Sequence, residues 1–325
     1  MRRLVVVLAC WLAGSGCVFV VGSPLSLLGR DRAPLEEVVV DGEGRDKVLV
    51  IDVSGMITDM PSRRAFGLVE EDSTLARIEA ELDAAKDDHH IRAVVVYIRS
   101  PGGGVTASDD VYRALRRFKE KQALPMVAAL GGVAASGGYY VACAADRIVA
   151  HPTTVTGSIG VIMMNLNVEG LMHKIGVEDA TVKAGRYKNL MSPLKKPDPA
   201  DREIVQRIVD SMHAHFKDVV RESRHLDDAQ LTKVSDGRVF DAEQARSLGL
   251  VDEIGDLRAA IDAGKKAANV SKAKVIRYRR GGESTDTLHA RWSGEPDAQA
   301  FSMERELLRA AGPRFLYMWD PLQAE

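Results

Sequence analysis

One serine, Ser136, sits in the run Gly131-Gly-Val-Ala-Ala-Ser-Gly-Gly-Tyr-Tyr140, among residues that are nearly all small. A serine hydroxyl becomes a nucleophile when a base takes its proton and when donors await the negative charge that develops on the attacked carbonyl oxygen. An apolar run, Pro125 to Leu130, leads into the segment, and a helix-compatible stretch, Tyr139 to Ala145, leads out. A strand that turns sharply into a helix presents one side chain at the helix N-terminus, where free N–H groups favour negative charge. Small residues equally serve the close packing of a helix on a sheet. The segment alone leaves both readings open.

A nucleophilic serine needs a base. Histidine is the usual one, and the chain has eight. His89 and His90 fall in a charged loop, and His213, His215 and His225 in polar helical sequence. His151 precedes a proline, His173 is on a predicted helix, and His289 is in a polar tail. None sits in a Gly-rich or apolar turn, and each reads as a solvated side chain. Lysine is the other option, because a buried ammonium loses its proton readily. Lys188, in Ala184-Gly-Arg-Tyr-Lys-Asn-Leu-Met-Ser-Pro193, lies just ahead of an apolar pair in a stretch opened by Gly185. Taken alone it reads as surface charge, as most lysines are.

The elements that must hold these residues follow from the periodicity. Lys47 to Val53, Ile91 to Ile98, Met126 to Leu130 and Asp146 to Ala150 are short apolar runs that read as strands. Between them, Ser73 to Lys86 has Leu75, Ile78 and Leu82 at helical spacing, and Ser108 to Gln122 is amphipathic. Strands alternating with helices predict an α/β fold, with a mostly parallel sheet and helices on both sides. Sites in such sheets form at the carboxyl ends of strands. Ser100-Pro-Gly-Gly-Gly-Val105 and the Ser136 turn both fall there. Pro199 to Arg224 reads as a long helix with proline at its start. Leu226 to Ala263 reads as two short helices around a Gly-Leu-Val-Asp turn. From Ser271 the sequence is basic, then polar. It ends in the apolar stretch Arg314 to Asp320, which must bury against its own domain or a neighbouring subunit.

Composition narrows the class. The chain has 325 residues, 46% apolar and 28% charged, which is ordinary for a globular protein. A net charge of −2 gives no basic surface for nucleic acid. Cys10, Cys17 and Cys143 show no metal spacing. No metal and no cofactor is expected. Arg2 and Arg3 precede an uncharged run of 18 residues, Leu4 to Val21, which reads as an export signal or membrane anchor. Leu12-Ala-Gly-Ser-Gly-Cys17 looks like a degenerate lipobox with Gly14 where leucine is usual. An uncleaved anchor, lipidation of Cys17 and simple secretion all place the rest of the chain outside the cytoplasm, in a bacterial cell envelope.

Four motifs occur in order: Ser100-Pro-Gly-Gly-Gly, Ala135-Ser136-Gly-Gly-Tyr-Tyr, Thr156-Gly-Ser158-Ile-Gly-Val and Gly185-Arg-Tyr-Lys188. With a spacing of 52 positions from Ser136 to Lys188, and with the later Ser235-Asp-Gly-Arg-Val-Phe and Gly249-Leu-Val-Asp-Glu-Ile-Gly255, they resemble the signal peptide peptidase A family in its short bacterial form. That family belongs to the ClpP/crotonase fold superfamily. The resemblance covers about Lys47 to Val270. It divides the chain into a signal or anchor (1–28), a linker (29–46), a peptidase domain (47–270) and a C-terminal extension (271–325). It implies Ser136 as nucleophile, Lys188 as base, Ser158 as the hydroxyl that holds the lysine amine, and the N–H groups of Gly103 and Gly137 as the oxyanion hole. Gly102 is the alternative to Gly103.

The resemblance further implies a homo-oligomeric ring, in which Ser136 meets either its own Lys188 or that of an adjacent subunit. Substrates would be extended peptides, namely signal-peptide remnants and unfolded exported segments, with small-to-medium apolar side chains at the site. The C-terminal end lies in a neighbouring site in some relatives, and Phe315 to Trp319 is the stretch able to do so here. Two other readings stay open: a crotonase-like enzyme acting on coenzyme A thioesters, and an inactive peptide-binding scaffold.

Overall fold

A computed structural model describes residues 34–64, 69–280 and 314–319. The expected signal or anchor, with Cys17, lies outside the described residues. In chain order the first elements are β1 (Leu35–Asp41), β2 (Lys47–Ser54), β3 (Ser62–Arg64), β4 (Val69–Glu71), α1 (Thr74–Ala85), β5 (Ile91–Ser100) and β6 (Gly102–Gly104). Next come α2 (Val105–Gln122), β7 (Met126–Ala135), α3 (Gly137–Ala142), β8 (Arg147–Ala150), β9 (Val155–Gly157), β10 (Ile162–Met164) and α4 (Glu169–Lys174). The remainder is α5 (Pro199–Arg224), α6 (Asp228–Val234), β11 (Val239–Asp241), α7 (Ala242–Ser247), β12 (Glu253–Ile254), α8 (Leu257–Ala267), β13 (Lys274–Arg280) and β14 (Arg314–Met318). Among the described residues no helix is long and apolar enough to cross a membrane.

The main sheet runs β1-β13-β2-β5-β7-β8-β12, with β9 and β11 added beyond β7. Strands β13, β2, β5, β7, β8 and β12 pair in parallel, and only the β1–β13 and β9–β11 pairs are antiparallel. Successive side chains of a strand point to opposite faces, and two hydrophobic clusters divide along that alternation. Leu49, Ile51, Val94, Val96, Met126 and Ala128 face α1, α2, α3 and α5. Val48, Val50, Ala93, Val95, Val127 and Val149 face α8. Each fully buried aliphatic side chain contributes about 1.5–3 kcal/mol, so the double burial of the central strands fixes the sheet's register.

The helices obey their end signals. Ser73 caps α1 by accepting from the Ala76 N–H at 3.1 Å. Asp198 caps α5 ahead of its proline, and His225 ends that helix in a left-handed conformation. Asp227 with Gln230, and Asp241 with Gln244, form capping boxes on α6 and α7. Two helix starts come earlier than periodicity predicts. α2 begins at Val105 and α3 at Gly137, because each opens directly from a glycine turn at a strand end.

The linker reading of 29–46 does not hold over Leu35–Asp41. This segment is an edge strand on β13, which itself lies in the region read as an extension. Glu36 pairs with Arg279 and Val38 with Arg277. Only part of this edge strand is covered, with Val40 packed against the cluster on the α8 face, and an edge strand carries little apolar alternation, so periodicity does not register it. The C-terminal strand β14 is likewise built into the domain. It lies between β10 and β6 in a second, antiparallel sheet, pairing with its own chain.

Beneath the sheet, Glu81 is buried at 3% exposure and accepts from Arg77 Nη1 at 2.8 Å. Burial outweighs that partner and pushes the carboxyl up to about 7, above its ordinary value of 4.5. A raised pKa favours the protonated folded state. Glu81 therefore stabilises the fold fully below pH 4.5, and this contribution is lost as pH rises through about 7. Urea unfolding is expected to show stability falling by about 1–3 kcal/mol from pH 4.5 to 8, and Glu81→Gln to flatten that slope.

Candidate active site

The end of β7 is held by a strand that is not its neighbour lower in the sheet. Val133, Ala134 and Ala135 pair in parallel with Val155, Thr156 and Gly157 of β9. The next residue, Ser136, donates its N–H to the Gly157 carbonyl at 2.8 Å, while its own carbonyl accepts from the Tyr140 N–H at 2.8 Å. The last strand bond and the first helix bond thus meet on one residue. The backbone there must turn hard, and Ser136 has φ 52° and ψ −116°. A side chain in that region is strained, which is tolerated where the surroundings over-determine it. Ser136 is 1% exposed, and its hydroxyl has no hydrogen-bond partner among the described residues. A buried hydroxyl left unmet costs about 1–3 kcal/mol.

Two glycine turns close on this hydroxyl. A Cβ on Gly103 would lie 2.1 Å from the Ile57 carbonyl oxygen, and one on Gly137 2.4 Å from the Ser108 hydroxyl. Backbone packs where a side chain would otherwise be. The Gly102 N–H is taken by Ser100 Oγ at 3.1 Å. The Gly102 carbonyl and the Gly104 N–H bond to Ile57 at 2.9 and 3.1 Å. Polar groups alternate sides along a strand, so Gly103 turns its N–H the other way, toward its partner Tyr317 on β14. The Tyr317 carbonyl oxygen would lie 1.9 Å from a Cβ on Gly102 and 3.1 Å from one on Gly137. A backbone carbonyl therefore occupies the notch between the two turns, beside Ser136.

Ser158 follows Gly157 directly. It is buried, has φ 50°, and donates its N–H to the Arg238 carbonyl at 2.8 Å. The structure brings Ser136, Gly103, Gly137 and Ser158 into one region. Lys188 is not joined to them within the single chain. It is exposed, on the irregular segment between α4 and α5, and its backbone N–H bonds to the Gly185 carbonyl at 3.2 Å.

A wall of aromatic residues beside the serine is absent from the motif reading. Tyr140 donates its hydroxyl to Asp109 at 2.7 Å and meets Tyr112, Phe216 and Tyr317 at ring distances of 5.3, 5.0 and 5.2 Å. Burial works to raise the Asp109 carboxyl, but hydrogen bonds from Arg113 and Tyr140 hold it below the ordinary carboxylate range. His215 Nε2 lies 3.4 Å from Asp109, and His213 Nε2 3.2 Å from the Ile159 carbonyl. The Tyr139-Tyr140 pair inside the serine motif was the sequence signal for this wall. Burial pushes the Cys143 thiol up to about 12, so it stays an inert core residue. Among the described residues no cluster of His, Cys, Asp and Glu is arranged to hold a metal ion.

Gly103→Ala is expected to destabilise the protein by about 1–3 kcal/mol in chemical denaturation, because the added methyl meets backbone that cannot give way.

The sequence profile of peptidase family S49 matches residues 118–271, and that of Clp protease matches residues 60–156. A protein of Enterococcus faecium named for the signal peptide peptidase SppA is 34% identical over 81% of this chain and 75% of its own length. The chloroplastic serine protease SPPA of Arabidopsis thaliana is 32% identical over 72% of this chain. Protease 4 of Haemophilus influenzae is 34% identical over 69%. These last two matches span about a third of the longer relatives, 34% and 35%. A ClpP1 mutant of Listeria monocytogenes is similar in structure over 65% of this chain and 94% of its own, at 16% identity and a TM-score of 0.42. With a relative this similar across three-quarters of that relative's length, the chain belongs to the signal peptide peptidase A family, the serine-type peptidases of family S49.

Proposed function

We propose that the protein is a membrane-attached endopeptidase of the cell envelope that cleaves extended peptides, signal-peptide remnants among them, through a Ser136/Lys188 dyad. The observation that carries this reading is the Ser136 hydroxyl. It is buried and unmet, on strained backbone between two glycine turns, with a peptide carbonyl already lying in the notch beside it.

In this reading Ser136 Oγ attacks the carbonyl carbon of a peptide bound antiparallel to β6. Lys188, as the neutral amine, takes the hydroxyl proton and later delivers it to the leaving amine. The N–H groups of Gly103 and Gly137 stabilise the oxyanion. Water then hydrolyses the acyl-enzyme, and Ser136 regains its proton. Ser158 holds the lysine amine in place. Lys188 comes from an adjacent copy in a ring. Two features support that arrangement: Lys188 is exposed in the single chain, and the segment before it carries Leu166, Leu171, Ile175 and Val182 exposed at 61%, 61%, 65% and 98%. Apolar residues displayed together in this way mark a surface that another chain covers.

The exposure of Lys188 favours one other reading, a peptide-binding scaffold of the same fold. Cleavage of a fluorogenic peptide by the full chain in detergent decides between them. Ser136→Ala and Lys188→Ala are each expected to lose about a thousandfold or more in kcat. Mixing the two dead variants is expected to restore activity, because a neighbour supplies the missing group. No cleavage by a well-folded wild-type oligomer would select the scaffold. Cleavage that survives Lys188→Ala would overturn the dyad.

A further inference from the structure

The two glycines whose N–H groups would meet the oxyanion stand at the starts of two different helices. Gly103 lies just ahead of α2, and Gly137 is the first residue of α3. Neither glycine has a side chain with which to hold its place. Their spacing depends on how α2 and α3 are joined.

The joint lies about one turn in from each start. Tyr140 of α3 donates its hydroxyl to Asp109 Oδ1 of α2 at 2.7 Å, and among the described residues this is the one hydrogen bond between the two helices. A hydrogen bond to a carboxylate is roughly twice as strong as one between neutral groups. Both partners are held from behind. Arg113 Nε donates to the other Asp109 oxygen at 2.6 Å, and His215 Nε2 lies 3.4 Å from Oδ1. Tyr140 is fully buried, and its ring packs edge-on against Tyr112 of α2 with centroids 5.3 Å apart. Its N–H is tied to the Ser136 carbonyl at 2.8 Å, so the joint reaches the serine through a single turn. Nearer the helix starts the two elements touch without bonding. Ser108, next to Asp109, is fully buried, and its hydroxyl has no partner among the described residues. A Cβ on Gly137 would lie 2.4 Å from that hydroxyl. Ser108 therefore limits how closely Gly137 approaches α2, and the Asp109–Tyr140 bond keeps it from moving away.

We infer that Asp109 and Tyr140 are positioning residues of the peptidase, a brace that fixes the spacing of the Gly103 and Gly137 N–H groups around the oxygen that becomes negative. The inference rests on the oxyanion role given to those two glycines above. Donors fixed in this way need not move as charge appears. Displacing a group by about 1 Å from outside the chemistry can cost about a hundredfold in rate. A loosened brace leaves the bound peptide alone, because the peptide is held along its strand. The loss falls on the transition state, and so on kcat rather than KM.

The test uses the full chain in detergent with Tyr140→Phe, which removes only the hydroxyl, with Asp109→Ala, and with Asp109→Asn, which keeps an acceptor for Tyr140. Three readouts are followed: peptide cleavage, inhibition by a peptide boronate that forms a tetrahedral adduct on Ser136, and hydrogen exchange of residues 102–108 and 137–142. Tyr140→Phe and Asp109→Ala are each expected to lower kcat about tenfold at unchanged KM, and to weaken boronate inhibition by the same factor. The double variant is expected to lose no more than either single one, since all three lack the same bond. Asp109→Asn is expected to recover most of the Asp109→Ala loss. Exchange in both segments is expected to run about fivefold faster in Tyr140→Phe. A merely structural pair would lower the melting temperature and leave the boronate affinity of the folded protein unchanged. Unchanged exchange, unchanged boronate affinity or additive losses in the double variant would each overturn the inference. Should Asp109→Ala fail to fold, Tyr140→Phe carries the test, because it fills the same space. The two readings separate on the wild type. A wild type that neither cleaves peptide nor takes the boronate removes the peptidase reading, and the inference with it. A wild type that does both, matched by Tyr140→Phe, removes the inference alone.

Discussion

The N–H of Ser136 donates to the Gly157 carbonyl at 2.8 Å, and that bond sets where the serine stands relative to β9 and Ser158. It draws the end of β7 out of line with β8 and onto β9. Because the same residue opens α3, its backbone is forced to positive φ and its side chain is turned inward. The bond also sets Ser158 one residue from the contact and carries β11 with it, since β11 pairs with β9. A site assembled from strand ends is as rigid as the sheet behind it, and both faces of this sheet are packed.

Close backbone approach is the second constraint, and it explains the glycines. At Gly102, Gly103 and Gly137 the space for a side chain is filled by a carbonyl or a hydroxyl. A donor N–H presented at that range stabilises charge best because nothing has to move when the charge appears. The cost is a chain that cannot shield those groups itself. In this structure β14 does so, completing the ladder with β6 on one side and β10 on the other.

A peptide added between two edges gains affinity from its main chain and specificity from alternate side chains. The described C-terminal segment does both. Its carbonyl faces the glycine turns, and its tyrosine is held by contacts with α3 and α5. In the single chain, Leu316 to Met318 pair with the chain's own β6.

Local rules made much of this legible in the sequence. The alternation of apolar strands and amphipathic helices follows from periodicities of 2 and 3.6, which any short window contains. The Ser136 turn and the Gly102–Gly104 turn stand out because only small residues fit where backbones touch, and that constraint is written at the position itself. Four ordered motifs were enough to name the family. What the tertiary structure alone decided depends on residues far apart in the chain. β1 exists because β13 lies beside it, and its charged residues carry no periodic signal. The aromatic wall joins Tyr317 to Met212 across 105 positions, and Tyr139 to the Leu250 carbonyl across 111. The sequence points to Lys188 as base, whereas the folded single chain leaves it in solvent, unbonded to the serine hydroxyl. Side-chain type and local spacing specify what chemistry a residue can do. Which groups meet is set by packing between distant segments, and no local pattern encodes that.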